Sequence, residues 1–122
     1  MSPRTLAGLQ AAGRLAIGAS LVVAPQLVGG GWVGSAADRR SGQVLAIGLG
    51  ARDVALAVGT LQALGARQGA TAWLRAGIAA DLADLVSTLR ARDELPPPAV
   101  AATVAIAGGS VLLGAYLQAA LD

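Results

Sequence analysis

The stretch from about Ala99 to Leu121 contains no charged residue. A helix of that composition is apolar on every face, so it needs cover all round, from a protein core or from lipid. The whole chain has 122 residues, which is room for one domain but not for a core that would enclose such a helix. Its length matches the roughly 20 residues that cross a hydrocarbon layer. The competing fold is a soluble Ala-rich four-helix bundle, in which each helix keeps a wet face. This segment has no wet face to offer.

Three further segments have a similar length. They run at about 5–24, 43–64 and 71–89, and Pro25, Gly65 and Pro96-Pro97-Pro98 punctuate their ends as helix stops do. The run Gly29-Gly30-Gly31-Trp32-Val33-Gly34-Ser35 is expected to be an interfacial loop. Trp32, Trp73 and Tyr116 fall near segment ends, where aromatic anchors sit. The predicted fold is therefore all-α: one domain over 1–122, a four-helix transmembrane bundle with helices at about 5–24, 43–64, 71–89 and 99–121. The expected location is integral to a membrane, the plasma membrane in a bacterium. Arg14 interrupts the first segment and no small-residue cleavage site follows it, so this segment is expected to stay rather than act as a signal peptide.

Composition agrees. Hydrophobic residues make up 55% and charged ones 13%, against about 25% charged in an average soluble domain. Aromatics are 2% with no Phe, so Ala, Gly, Leu and Val supply the apolar surface. Small residues suit helix packing in lipid, where backbones approach closely. The net charge of +2 comes from arginines spread singly along apolar segments, which is not a nucleic-acid-binding stripe. With no Cys and no His, thiol chemistry, disulfides and His-based catalysis are excluded. Gly48-Leu49-Gly50-Ala51-Arg52-Asp53 lacks the third glycine and the preceding strand of a phosphate-binding loop. No cofactor is expected.

The remaining charges lie where charges are costly. Arg14 is near the middle of segment one, Arg52 and Asp53 near the middle of segment two, and Asp81 and Asp84 just past the middle of segment three. Each such residue costs about 2.5–3.5 kcal/mol at a helix centre, and each Leu, Ile or Val returns only about 0.3–0.6 kcal/mol. Segment two should not insert well alone. Asp81 and Asp84, three apart, share a face with Gly77 and Thr88. Arg52 shares one with Gly48, Ala55 and Gly59, a small-residue stripe suited to close approach. Arg14 shares one with Gln10 and Gly18. Arg75, near a helix end, is expected to reach out to the headgroups, and Asp93 and Glu94 to be solvated.

Two arginines against three aspartates leave one surplus negative charge. Desolvation and like-charge repulsion favour the neutral form of a surplus carboxyl, so Asp81 and Asp84 are expected to share a proton and titrate as a unit. Three aspartates could also ligate a hard cation, but two neighbouring guanidinium groups oppose it, and no metal is expected.

With Gly50-Ala51-Arg52-Asp53 and the apolar run Val54 to Leu61 in view, the chain resembles a family of small four-helix membrane proteins of unknown function found in actinobacteria and fungi. Arg14, Gly50 to Asp53, Asp81 and Asp84 carry the resemblance, which covers nearly the whole chain. It implies fold and membrane location and supplies no activity.

Ionisable groups inside a membrane mark functional sites by default. The first functional expectation is a membrane-embedded acid–base enzyme, of epoxide hydrolase, cyclase or isomerase type, acting on a lipophilic small molecule. Asp53 or Asp84 would be the base, Asp81 the acid, Arg52 would orient both, and Arg14 would close the charge balance. These ingredients are similar to the Asp–Arg–Asp set of limonene-epoxide-hydrolase-like enzymes, whose fold is unrelated. The alternatives are a small proton-coupled transporter and a non-catalytic accessory subunit whose ion pairs only set packing. Small multidrug exporters share the length and helix number, but their first-helix ionisable group is an acid where this chain has Arg14. Expected partners are the lipid bilayer and the lipophilic substrate, with a homo-oligomer through Gly108, Gly109 and Gly114 as a further expectation. Arg39, Arg40, Arg90 and Arg92 between segments favour termini on the outer side.

Overall fold

A computed structural model describes residues 1–122 as five α-helices and no strand: α1 Pro3–Val23, α2 Pro25–Val33, α3 Arg40–Ala66, α4 Ala70–Arg90 and α5 Pro97–Leu121. Two short 3-10 turns, Gly34–Asp38 and Arg92–Glu94, complete the connections. The all-α class is as expected. The count of spanning helices is not: α1, α3 and α5 are long and apolar enough to cross a membrane. α4 has the length, but Arg75, Asp81 and Asp84 fall within its 21 residues and remove it from that class.

The helices begin where local chemistry lets them. Ser2 caps α1, its side chain accepting from the Thr5 N–H at 3.2 Å, and Pro3 follows in the first turn. Pro25 and Pro97 open α2 and α5 in the same way, since proline's missing N–H is one the first turn would leave free anyway. α3 runs past Gly65. It closes on Arg67 in the left-handed conformation (φ 57°), whose N–H and that of Gln68 return to the Leu64 and Ala63 carbonyls. Residues 29–33 of the expected loop belong instead to α2, which packs against α1 and α3 and brings Trp32 to α4, where its Nε1–H donates to Thr88 Oγ1 at 3.0 Å.

The four long helices alternate in direction. α1 lies along α3 and α5 along α4, with α3 touching α4 and a looser approach of α1 to α5. At the end holding both termini, Ala7, Leu64, Leu74 and Leu117 form a small apolar cluster. The tightest crossing is between Gly18 and Gly50. A Cβ on Gly50 would sit 2.5 Å from the Gly18 carbonyl oxygen, and one on Gly18 would sit 2.7 Å from that of Gly50. The close face of α3 is thus Ala46, Gly50, Asp53 and Ala57. Gly48 and Ala55 of the expected stripe face outward instead. Gly59 is buried, with the Trp73 ring lying over it.

Charged side chains share the interior with Ala and Leu, and large aliphatic ones cover much of the outside. Asp53 and Asp81 are buried, while Val23, Leu27, Leu45 and Leu112 are 71–83% exposed. An outer surface of that kind is what contact with lipid requires.

A test follows from the crossing. Gly50→Val should force α1 and α3 apart and lower stability by about 1–3 kcal/mol, whereas Gly48→Ala, with nothing within 4 Å of its Cβ, should leave it unchanged. Thermal unfolding of the detergent-solubilised protein by circular dichroism reads both.

Candidate functional site

All five ionisable residues singled out in the sequence come together halfway along the long helices. α1 contributes Arg14, α3 contributes Arg52 and Asp53, and α4 contributes Asp81 and Asp84. Helical periodicity explains the placement. On α4 the buried face runs Leu74, Gly77, Asp81, Thr88, and Gly77 leaves room for the Arg14 guanidinium, whose Nη2 would lie 3.3 Å from a Cβ there.

The five groups form a chain of alternating sign. Arg14 Nη2 donates to Asp81 Oδ2 at 2.5 Å, and Arg14 Nη1 to Asp53 Oδ1 at 3.3 Å. Asp53 Oδ1 also accepts from Arg52 Nε at 3.2 Å and Nη2 at 2.9 Å. Arg52 then grips both oxygens of Asp84, Nη1 to Oδ1 at 2.9 Å and Nη2 to Oδ2 at 2.6 Å. The order is Asp81–Arg14–Asp53–Arg52–Asp84, so every carboxylate faces a guanidinium. Such charge-assisted pairs are the strong hydrogen bonds of a dry interior.

This order corrects two expectations. Asp81 and Asp84 share a helix face but no hydrogen bond joins them; each is held by a different arginine. A proton shared directly between them is therefore not what the geometry offers. Nor does Arg52 orient the whole set: it links Asp53 to Asp84, while Arg14 links Asp53 to Asp81.

Two residues that charge counting passed over join the site. Gln10 Nε2 donates to the Ser110 carbonyl and hydroxyl oxygens, both at 3.0 Å, and Arg14 Nη2 lies 3.4 Å from Ser110 Oγ. Ser110 is thereby the point at which the charge-free α5 meets the cluster. The signal was a serine midway along a charge-free span. Gly114, expected to serve self-association, is used within the chain, packed on Ile78. Arg75 is exposed, 4.0 Å from Asp122.

Between α1, α2 and α5 lies a cavity of about 460 Å³, within the roughly 300–1,000 Å³ usual for small-molecule sites. Asp53, Asp81, Asp84 and Arg14 form its polar wall, and Leu9, Ile17, Leu21, Val28 and Ile106 much of its apolar one. Both oxygens of Asp84 are taken. Asp53 Oδ2 and Asp81 Oδ1 make no hydrogen bond, yet no buried side-chain oxygen or nitrogen lacks a partner, so these two oxygens are accessible. The carboxylates do not gather as a metal-ligating group. Chemically the wall presents two free carboxylate oxygens on either side of one arginine.

No protein-family model, no curated protein and no solved structure matches the chain.

Removing Arg14 would leave Asp53 with one arginine and Asp81 with none. Arg14→Ala should cost about 3–5 kcal/mol, as breaking a buried pair from one side does, while Arg75→Ala at its exposed site should change stability by less than about 0.5 kcal/mol. Denaturant titration in mixed micelles measures the difference.

Proposed function

We propose that the protein is an integral membrane protein whose four long helices cross the bilayer, and that its Asp–Arg chain is an acid–base centre for a lipophilic small molecule. For the membrane reading, the support is the apolar exterior together with three helices of spanning length and composition. α4 completes the set because its midspan charges, Asp81 and Asp84, turn inward onto α1 and α3, which lowers their cost to the lipid. The resemblance carried by Gly50 to Asp53 is in keeping with this. The observation that carries the chemistry is the cavity: Asp53 and Asp81, each with one carboxylate oxygen free of hydrogen bonds, flank Arg14 in a wall that also holds Gln10 and Ser110 and that faces Leu9, Ile17, Leu21, Val28 and Ile106.

On this reading the working pair is Asp53 and Asp81 rather than Asp81 and Asp84, since Asp84 is fully engaged by Arg52. Acid–base work draws on the form of the pair that carries one proton. For an epoxide, the protonated carboxyl gives its proton to the ring oxygen as the C–O bond breaks. The ionised one takes a proton from the water whose oxygen forms the new C–O bond. The product is a diol, and transfer of a proton between the two carboxyls restores the starting state. Arg14 holds both in place. Opening of the cavity beside α1 and α5 would admit a substrate already dissolved in the lipid.

A purely structural role is favoured by one observation, the complete pairing of buried polar atoms. The two readings separate on Asp81→Asn. Acid–base catalysis expects a loss of about 10²–10⁴-fold in hydrolysis or cyclisation of lipophilic epoxides with the fold retained. Equal rates for variant and wild type overturn the enzyme.

The crossings have their own test. The chain has no Cys, so single cysteines report sidedness on an unmodified background. Ser35→Cys and Asp93→Cys should label from one side of sealed vesicles and Gln68→Cys from the other. Gln68 and Asp93 labelling from the same side would remove α4 from the membrane.

A further inference from the structure

The alternating chain of five groups ends one negative charge in excess, and the structure gives that excess a location. Asp81 is 6% exposed, its Oδ2 is held by Arg14, and its Oδ1 has no donor. Asp53, 8% exposed, is in the same position through Oδ2. Both residues line the 460 Å³ cavity. A carboxylate oxygen turned to a water-poor space without a donor is unfavourable. A group that supplies an N–H and a positive charge together corrects both faults.

The rest of the cavity defines the body that should carry that group. Leu9, Ile17, Leu21, Val28 and Ile106 present hydrocarbon. A bare inorganic cation would leave that surface uncovered, and the three carboxylates do not converge as ligands. An anionic or neutral apolar ligand would leave the excess charge unmatched. Charge and apolar area are both satisfied by one chemical class.

We infer that the cavity binds lipophilic ammonium ions, the ammonium N–H donating to Asp81 Oδ1 or Asp53 Oδ2 and the hydrocarbon body lying against α1, α2 and α5. This rests on the reading of the cavity as a substrate site, and not on the reaction. It also deepens that reading. As the epoxide opens, the carbon under attack is electron-poor and positive charge develops on it beside the ionised carboxylate of the pair. An ammonium ion is a stable bearer of the same charge, so preference for it reports how the site treats a cation-like transition state.

The experiment titrates the purified full-length protein in a non-ionic detergent at pH 7 by calorimetry, with protein-free micelles as the blank. The probes are N,N-dimethylgeranylamine, which is protonated at that pH, and geranyl methyl ether, its neutral counterpart. The ammonium ion is expected to bind at least tenfold tighter than the ether. Asp81→Asn, which keeps the shape and removes the charge, is expected to shrink that ratio below about threefold. If that variant does not fold, Asp53→Asn takes its place, and the wild-type ratio stands as a test by itself. Equal affinity of the wild type for both probes overturns the inference, as does a ratio that survives both substitutions. Epoxide turnover without an ammonium preference overturns this inference and leaves the reaction standing. A preference without turnover supports it and removes the reaction.

Discussion

The arrangement of the helices depends on the double engagement of Arg14. This side chain meets Asp53 on α3 and Asp81 on α4 through different nitrogens and comes within reach of Ser110 on α5. One residue of α1 thus touches each of the other long helices. A guanidinium can do this because its donors point in fixed directions from a plane; an ammonium on a flexible stem has no such fork. The register of α1 is set by the same contact, since a slip of one turn would strand a charge among apolar side chains. Gly18 and Gly50 let the backbones close to the distance at which the arginine reaches, and Gly77 vacates the space it fills.

Order in the interior therefore comes from polar pairing more than from apolar packing. The apolar cluster at the end with the termini holds four buried residues, most other buried apolar residues are alanines, and many of the larger aliphatic side chains point outward. In lipid, outward leucines cost nothing and inward charges are specific. A polar network with every buried member satisfied specifies one packing. The two residues with a carboxylate oxygen left over both line the cavity, so incompleteness of the network coincides with a place where a ligand can sit.

Much of this was legible in the residues. Segment limits fall within a few positions of the helices, and the five midspan charges do meet. What sequence spacing did not convey was their pairing. Asp81 and Asp84 are neighbours on a helical wheel, which makes them look like partners, but a wheel holds no information on how far neighbouring helices are offset along their axes. That offset decides that each aspartate meets a different arginine. The stripe on α3 was misplaced for a related reason. Taking Arg52 as the mark of the inward face puts Gly48 at the contact. Asp53 marks it instead, and Arg52, with its side chain 29% exposed, reaches in from the flank. α2 was hidden by Gly29, Gly30 and Gly31, poor helix formers, which packing against α1 and α3 overrides. Ser110 carried too small a polar signal to stand out in a charge-free segment.

The fork between Arg52 and Asp84 joins helices that are also consecutive in the chain, separated by a turn of three residues. The α3–α4 hairpin accordingly carries its own counter-ion: of its four midspan charges, Arg52 and Asp84 pair with each other. Arg14 has no such neighbour; its carboxylates are made only after it. On the proposed membrane reading, Arg14 is costly to α1 until the hairpin supplies Asp53 and Asp81. Insertion of the first helix would then be coupled to that of the two helices that carry its counter-ions.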